Sequence, residues 1–227
     1  MSSVNRRFKD EVYGHLARLG KATSAPKRLE LLDLLCQGPK TVEALAREAA
    51  ISVANASQHL KVLRAARLVE AEKRGLYVEY RPASEAVCDF FLSFRQLGEQ
   101  RLAEVEQVRR DFHHARGTLE PVPSRELLER ARRGEVTVLD VRPADEYRAG
   151  HVRGALSVPV AELEARVKAL PRGREVVAYC RGPLCVMAAE AVERLRAKGF
   201  KAHRLDLGVA ELRARGFRVA TGEEVAS

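Results

Sequence analysis

The 227 residues carry 40 Lys and Arg against 31 Asp and Glu, a formal net charge of +9, and this length predicts two domains of about 100 residues, each with its own core. No apolar run reaches transmembrane length, and the start Met1-Ser2-Ser3-Val4-Asn5-Arg6-Arg7 lacks the apolar stretch of a signal peptide. Four cysteines are too few for a disulfide scaffold, so membrane-spanning and disulfide-knit secreted classes are set aside and a cytoplasmic protein with free thiols is expected. The positive charge suggests an anionic partner without locating it: residues 1–116 hold 20 Lys and Arg against 15 Asp and Glu, and residues 117–227 hold 20 against 16.

Val4, Phe8, Val12 and Leu16 recur at steps of four and predict a first amphipathic helix over 4–19. Ser24-Ala25-Pro26 introduces a second helical run, Lys27 to Cys36, which Gly38-Pro39 stops; Cys36 sits among leucines and reads as core. Thr41 can cap a short helix through Ala50, and Ser52 another from Val53 to about Ala66. Two short helices across a tight turn form a helix-turn-helix pattern. On the second of them Val53, Ala56, Leu60 and Leu63 gather on one side as core. Gln58 points directly away, with Asn55 and Lys61 close to it and Ser57 and His59 on the flanks. Asn and Gln can bond bidentately to adenine and Lys can reach guanine or phosphate, although an ordinary solvated helix face has the same composition. Leu68 to Glu72 and Leu76 to Arg81 then alternate as two strands around Lys73-Arg74-Gly75, a basic hairpin whose tip can reach phosphate.

On Ala25-Pro26-Lys27-Arg28-Leu29-Glu30-Leu31-Leu32, Thr41 to Ala46, Ser57-Gln58-His59-Leu60-Lys61-Val62-Leu63-Arg64 and Leu76 to Arg81, residues 24–81 resemble the ArsR-type winged-helix repressors. The resemblance implies a homodimer that binds double-stranded DNA at a palindromic operator and is released by a metal or a thiol-reactive signal. The family's metal sensors carry a cysteine box where this chain reads Thr41-Val42-Glu43-Ala44-Leu45, so no metal site is expected there. Cys36 and Cys88 form a secondary candidate thiol pair, away from the positions of the family's two-cysteine sulfur sensors.

Ser84 opens a long helix whose stripe runs Val87, Phe90, Phe91, Phe94, Leu97, Leu102, Val105, Val108 and Phe112, more apolar surface than a small core covers, and with the first helix it resembles the family's dimer interface. His113 and His114 at its end read as solvated. Gly117, Pro121 and Pro123 break the pattern, so residues 1–115 are taken as the winged helix with its dimerisation helices, 116–123 as a linker and 124–227 as the second domain.

Beyond the linker, helix and strand alternate: a helix from Ser124 to Arg132, a strand Val136 to Val141, a short helix, a helix from Val160 to Leu170, an apolar run Val176 to Cys180, a helix from Met187 to Lys198 and a strand near Lys201–Leu205. This is the pattern of an α/β domain with a central parallel sheet, in which sites lie at the carboxyl ends of strands. Cys180 occupies that position, followed by the loop Arg181-Gly182-Pro183-Leu184-Cys185. A loop of inward N–H groups ahead of a helix N-terminus can hold a thiolate, which makes Cys180 a candidate nucleophile; a buried structural cysteine is the alternative reading of the same spacing.

Asp140-Val141-Arg142-Pro143-Ala144-Asp145-Glu146-Tyr147, Gly150-His151-Val152-Arg153-Gly154-Ala155, Val158-Pro159, Tyr179-Cys180-Arg181-Gly182 and Gly199-Phe200, in order, give residues 123–218 a resemblance to rhodanese domains. That resemblance implies sulfane sulfur carried as a persulfide on Cys180, with no further cofactor. Asp140, Arg142, Glu146, His151 and Arg153 read as structural, beginning with a local Asp140–Arg142 ion pair. Thiosulfate-using rhodaneses place an arginine where Cys185 stands, so the loop suggests a persulfide or polysulfide donor handled between two thiols. The tail Leu205 to Leu212 keeps one of the family's paired glycines, Gly208, and lacks its tryptophan. The expected protein is a homodimeric DNA-binding regulator whose rhodanese domain senses or carries sulfur on Cys180, with Cys185 as a second thiol. A sulfurtransferase with an accessory winged helix, and a thiol-based arsenate reductase, are the alternatives.

Overall fold

The computed structural model describes residues 3–117 and 124–223, so most of the expected linker lies outside the described residues. The chain divides into two compact units, Met1–Gln100 and Arg101–Ser227.

The first unit runs α1 (Ser3–Thr23), α2 (Pro26–Leu35), β1 (Lys40–Thr41), α3 (Val42–Glu48), α4 (Val53–Ala65), β2 (Val69–Arg74), β3 (Tyr77–Pro82) and α5 (Glu85–Arg101). The starts are set locally. Pro26 opens α2, where its missing N–H costs nothing, and the hydroxyls of Thr41 and Ser52 accept from the backbone N–H of Ala44 and Asn55 to cap α3 and α4. Leu31, Leu32, Leu35, Leu45, Leu60 and Leu63 are fully buried and lock α2, α3 and α4 around one core. The three strands form an antiparallel sheet in the order β1-β3-β2, and Gly75, at φ 63°, makes the left-handed turn between β2 and β3. This is a winged helix-turn-helix, with β1 as an unforeseen third strand.

Three expectations about this half are corrected. Val53 is 46% exposed, because the first turn of α4 projects beyond the core that receives Ala56, Leu60 and Leu63. The helix expected from Ser84 to Phe112 is two helices: Leu102, with φ −108° and ψ 99°, leaves the helical region and starts α6 (Ala103–Ala115) in the second unit. Cys36 is not a free core thiol; it is joined in a disulfide to Cys88, with Cα atoms 5.5 Å apart, and so ties the end of α2 to α5.

After α6 the second unit continues with α7 (Ser124–Arg132), β4 (Val136–Asp140), α8 (Ala144–Ala149), β5 (His151–Val152), β6 (Leu156–Ser157), α9 (Leu163–Arg166), β7 (Glu175–Tyr179), α10 (Met187–Ala197), β8 (Ala202–Leu205), α11 (Val209–Ala214) and β9 (Val219–Ala220). The helix expected over 160–170 is broken, with α9 flanked by single 3-10 turns at Val160–Glu162 and Val167–Ala169. β6, β4, β7 and β8 form a parallel sheet in that order. Alternation along the strands divides the core in two: Leu139, Val176 and Ala178 face Ala188, Val192 and Leu195, while Val136, Val177 and Tyr179 face Leu127, Leu205 and Leu212. Both faces are covered, as a parallel sheet requires.

α6 packs within this unit through Arg116 to Glu193 at 3.1 Å and Arg109 to Asp206 at 3.6 Å. His113, expected in solvent, is 7% exposed and lies against the Arg204 guanidinium, whereas His114 is exposed. Burial, then the neighbouring Arg204 charge, lower the His113 pKa and so favour the neutral ring. No helix among the described residues is long and apolar enough to cross a membrane.

Candidate functional site

The end of β7 delivers Cys180 into the loop that precedes α10. The apolar alternation Val176, Ala178, Cys180 places its side chain on the same sheet face as Leu139 and Ala188, and the residue is 1% exposed. Gly182, at φ 131°, takes a conformation that side chains disfavour, and its carbonyl accepts from the Cys185 N–H at 3.1 Å, which turns the chain back toward Cys180. The Cys180 sulfur lies 3.6 Å from the Cys185 carbonyl oxygen and 3.9 Å from that of Gly182.

Two contacts hold the loop in place. Arg181 grips Glu146 of α8 with Nη2 and Nε, at 2.5, 3.0 and 3.1 Å to the two carboxylate oxygens; the Glu146 side chain is fully buried. A planar fork on a carboxylate fixes direction as well as distance. From the other side, Gly208 comes so close that a Cβ there would run into the Arg181 carbonyl. Neither partner was legible as a loop anchor: Glu146 is separated by 35 residues from Arg181, and the retained glycine reads only as a family remnant until the approach is seen.

Asp140 and Arg142 form the expected local pair, with Nη2 to Oδ2 at 2.6 Å, and Arg142 also donates to the Gly150 carbonyl at 2.6 Å. The Tyr179 hydroxyl donates to Asp140 at 2.7 Å and accepts from the Val152 N–H at 3.1 Å. Tyr147 stacks on His151 with ring centres 3.6 Å apart. This network braces the strand ends next to the loop and leaves the chemistry to the sulfurs.

The two thiols titrate in opposite directions. Burial, then hydrogen bonding to Cys185, push the Cys180 thiol well above its usual value. The Cys185 thiol is held at about 7, first by the hydrogen bond from Cys180 and then by the backbone N–H groups of Arg181 and Met187, against the opposing effect of burial. Near neutral pH this keeps buried Cys180 protonated and leaves half-buried Cys185 partly as thiolate. A thiolate with a pKa near ambient pH combines population with nucleophilicity. Pro183 is half-buried and Leu184 exposed beside it. Among the described residues no three His, Cys, Asp or Glu side chains gather as metal ligands.

In the first unit the predicted base-reading residues share one face of α4. Asn55, Gln58 and Lys61 are exposed, and Ser57 and His59 are half-exposed on the flanks, opposite buried Ala56, Leu60 and Leu63. Lys73 is exposed near the hairpin tip, while Arg74 shares its guanidinium with Glu72 at 3.4 Å and Glu79 at 3.3 Å.

Comparison with known proteins matches residues 25–71 to the bacterial regulatory protein, arsR family, model and residues 124–215 to the rhodanese-like domain model. The chain is 42% identical over 211 residues to the HTH-type transcriptional regulator Rv0324 of Mycobacterium tuberculosis, spanning 92% of each chain. It is also 35% identical over 82 residues to the tRNA sulfurtransferase of Desulfurococcus amylolyticus, a match that spans 36% of this chain and 16% of that protein. Among solved structures, the winged helix-turn-helix domain of Mb0332 from Mycobacterium bovis is 36% identical, covering 41% of this chain and 87% of that one with a TM-score of 0.40. A rhodanese-related protein from Thermoplasma volcanium is 26% identical, covering 44% of this chain and 97% of that one with a TM-score of 0.39.

Proposed function

This chain belongs to the arsR family of bacterial transcriptional regulators, in a form that carries a C-terminal rhodanese-like domain, and from that premise we propose that it is a homodimeric, cytoplasmic regulator whose operator affinity responds to sulfane sulfur held on Cys180 and Cys185. The observation that carries this reading is the placement of buried Cys180 and half-buried Cys185 in one loop at the carboxyl end of β7, braced by Arg181 on Glu146. A sulfur donor meets a Cys185 thiol lowered to about 7 and so partly ionised at neutral pH, with Cys180 in the same loop to share the cargo. The backbone N–H groups of Gly182 and Ala188, which bond the Cys180 sulfur, stabilise negative charge there.

On the DNA side, α4 presents Asn55, Gln58 and Lys61 to the major groove, with Ser57 and His59 at its edges, and Lys73 and Arg74 bring the wing to the backbone. Dimerisation is supported by the uncovered apolar stripes of the first unit: Phe8 of α1 is 66% exposed, and Phe90, Phe94 and Leu97 of α5 are exposed as well. A second copy that brings the same stripes covers them through an isologous interface. The test is operator binding by the full chain, with and without polysulfide. Sulfur-dependent binding that is lost in Cys180→Ser supports the reading, and an unchanged response in that variant refutes it.

A second reading, a sulfurtransferase with the winged helix as a dimerisation module, is favoured by the 82-residue match to a tRNA sulfurtransferase. Transfer of sulfur to cyanide at ordinary enzyme rates, together with no salt-dependent binding to DNA, distinguishes it.

A further inference from the structure

The loop opens onto a cleft whose other wall is α6. Its volume is about 440 Å³, and its lining is dominated by Val105, Val108 and Phe112 of α6 and by Leu184 and Val186 of the loop, with Cys185 among them. Cys180 does not line it. The polar groups at the cleft are few: Glu104, His113 and Arg109. His113 faces Arg204. Arg109 is held by Asp206 at 3.6 Å and Glu106 at 3.5 Å, and its buried Nε–H has no acceptor among the described residues.

This combination selects a ligand. A small inorganic donor such as thiosulfate leaves the apolar walls wet and loses hydration against them, with only a partly neutralised arginine in return. A donor with an apolar body covers Val105, Val108, Phe112 and Leu184, and an electron-rich sulfur end can accept from the Arg109 Nε–H. We propose that the cleft between α6 and the 183–186 segment is a binding site for organic persulfides, R–S–SH, with an alkyl or aryl body, and that Cys185 is the first sulfur acceptor in it. The inference deepens the sulfur-responsive reading of the Cys180–Cys185 pair and rests on it.

The chemistry balances without an added oxidant. The Cys185 thiolate attacks the outer sulfur of R–S–SH, a bond forms between the Cys185 sulfur and that atom, and the donor's S–S bond breaks with its electron pair on R–S⁻, which takes a proton from water. The transferred sulfur keeps its hydrogen, leaving Cys185–S–SH. Cys180 can then attack that outer sulfur in turn; its S–H proton passes to the Cys185 sulfur as the Cys185 S–S bond breaks, giving Cys180–S–SH and Cys185–SH. The direction of transfer is inward, from the sulfur that lines the cleft to the one behind it.

The experiment loads the reduced full chain with phenylmethyl persulfide and, separately, with inorganic disulfide, and follows persulfide on Cys180 and Cys185 by trapping and fragmentation mass spectrometry. In wild type the aromatic persulfide is expected to load faster at equal concentration by about ten-fold or more, from the apolar contact. Val108→Trp, at an exposed position that does not disturb the core, is expected to reduce the ratio of aromatic to inorganic loading by a similar factor. Cys180→Ser is expected still to load at Cys185, whereas Cys185→Ser slows the loading of Cys180 by about ten-fold or more. Equal rates for the two donors, an unchanged ratio in Val108→Trp, or full-speed loading of Cys180 in Cys185→Ser overturns the cleft assignment while leaving the sulfur-carrier reading in place. If neither donor loads either cysteine, the sulfur-carrier reading fails and the cleft assignment falls with it.

Discussion

The Cys180 sulfur lies 3.6 Å from the Cys185 carbonyl oxygen, in a loop that buries Cys180 fully and leaves Cys185 half-buried. Burial first, and then the neighbouring Cys185, push the Cys180 thiol well above its usual range, while hydrogen bonding with Cys180 lowers the Cys185 thiol to about 7. The nucleophile available at neutral pH is therefore Cys185, while Cys180, which the loop position nominates as carrier, stays protonated behind it.

This polarity has a pH signature. Because the Cys185 pKa is lowered from 9.0 to about 7, its thiolate is present above about pH 7 and is lost as the pH falls through that value. Iodoacetamide labelling is expected to follow that curve at Cys185 and to remain slow at Cys180 through neutral pH. Removing the donor in Cys180→Ala moves the Cys185 midpoint upward, by about one pH unit for a hydrogen bond of about 1.5 kcal/mol to a charged acceptor. An unshifted midpoint in that variant means the hydrogen bond is not the cause.

The Arg181–Glu146 pair is a loop brace whose partners are shielded from water. Glu146→Gln leaves the Arg181 charge without its counter-ion and is expected to destabilise the second unit by about 3 kcal/mol, read as an earlier denaturant midpoint. Loading of sulfur onto the cysteines should slow as well, because the loop then loses its fixed orientation. Glu223, which pairs with Arg148 at 3.6 Å on the surface, serves as the control, and its substitution by Gln is expected to cost well under about 1 kcal/mol.

Base reading and backbone contact separate on α4 and the wing. Gln58→Ala is expected to weaken operator binding by about 1–3 kcal/mol and to relax discrimination at the base pair it meets. Lys73→Ala should weaken binding to all duplexes alike and reduce the salt slope by about one. Competition titrations over a range of salt concentrations distinguish these outcomes.

The Cys36–Cys88 disulfide closes a loop of 52 residues, for which chain entropy gives about 4 kcal/mol of stabilisation. Thermal melts of the first unit's signal in the full chain should show a clearly lower Tm after thiol reduction. The Cys36→Ser and Cys88→Ser double variant should match the reduced form with or without reductant.

Much of this architecture was readable from the chain because the signals were local. The Thr41 and Ser52 caps, the stripe of Ala56, Leu60 and Leu63, and the alternation of Val176, Ala178 and Cys180 each depend on residues within a few positions of one another. Contacts between distant segments were not readable. Cys36 and Cys88 were legible only as a secondary candidate pair beside the plain-core reading, although their Cα atoms meet at 5.5 Å, and nothing in His113 announces Arg204, 91 residues away. The break at Leu102 carries no local mark, because the apolar stripe continues into α6 with no Gly or Pro at that point. That break matters at the site: the stripe expected to serve dimerisation alone supplies Val105, Val108 and Phe112 to the cleft beside Cys185.

The central claim is that sulfur on the Cys180–Cys185 pair changes DNA binding, and fluorescence anisotropy of a labelled operator with the full chain tests it most directly. Kd is measured before and after polysulfide treatment in wild type and in the Cys180→Ala, Cys185→Ala double variant, both with the Cys36–Cys88 disulfide intact. The account predicts a change of about five-fold or more in wild type, within the usual range of coupling free energies, and none in the double variant. Equal responses in the two proteins would contradict it.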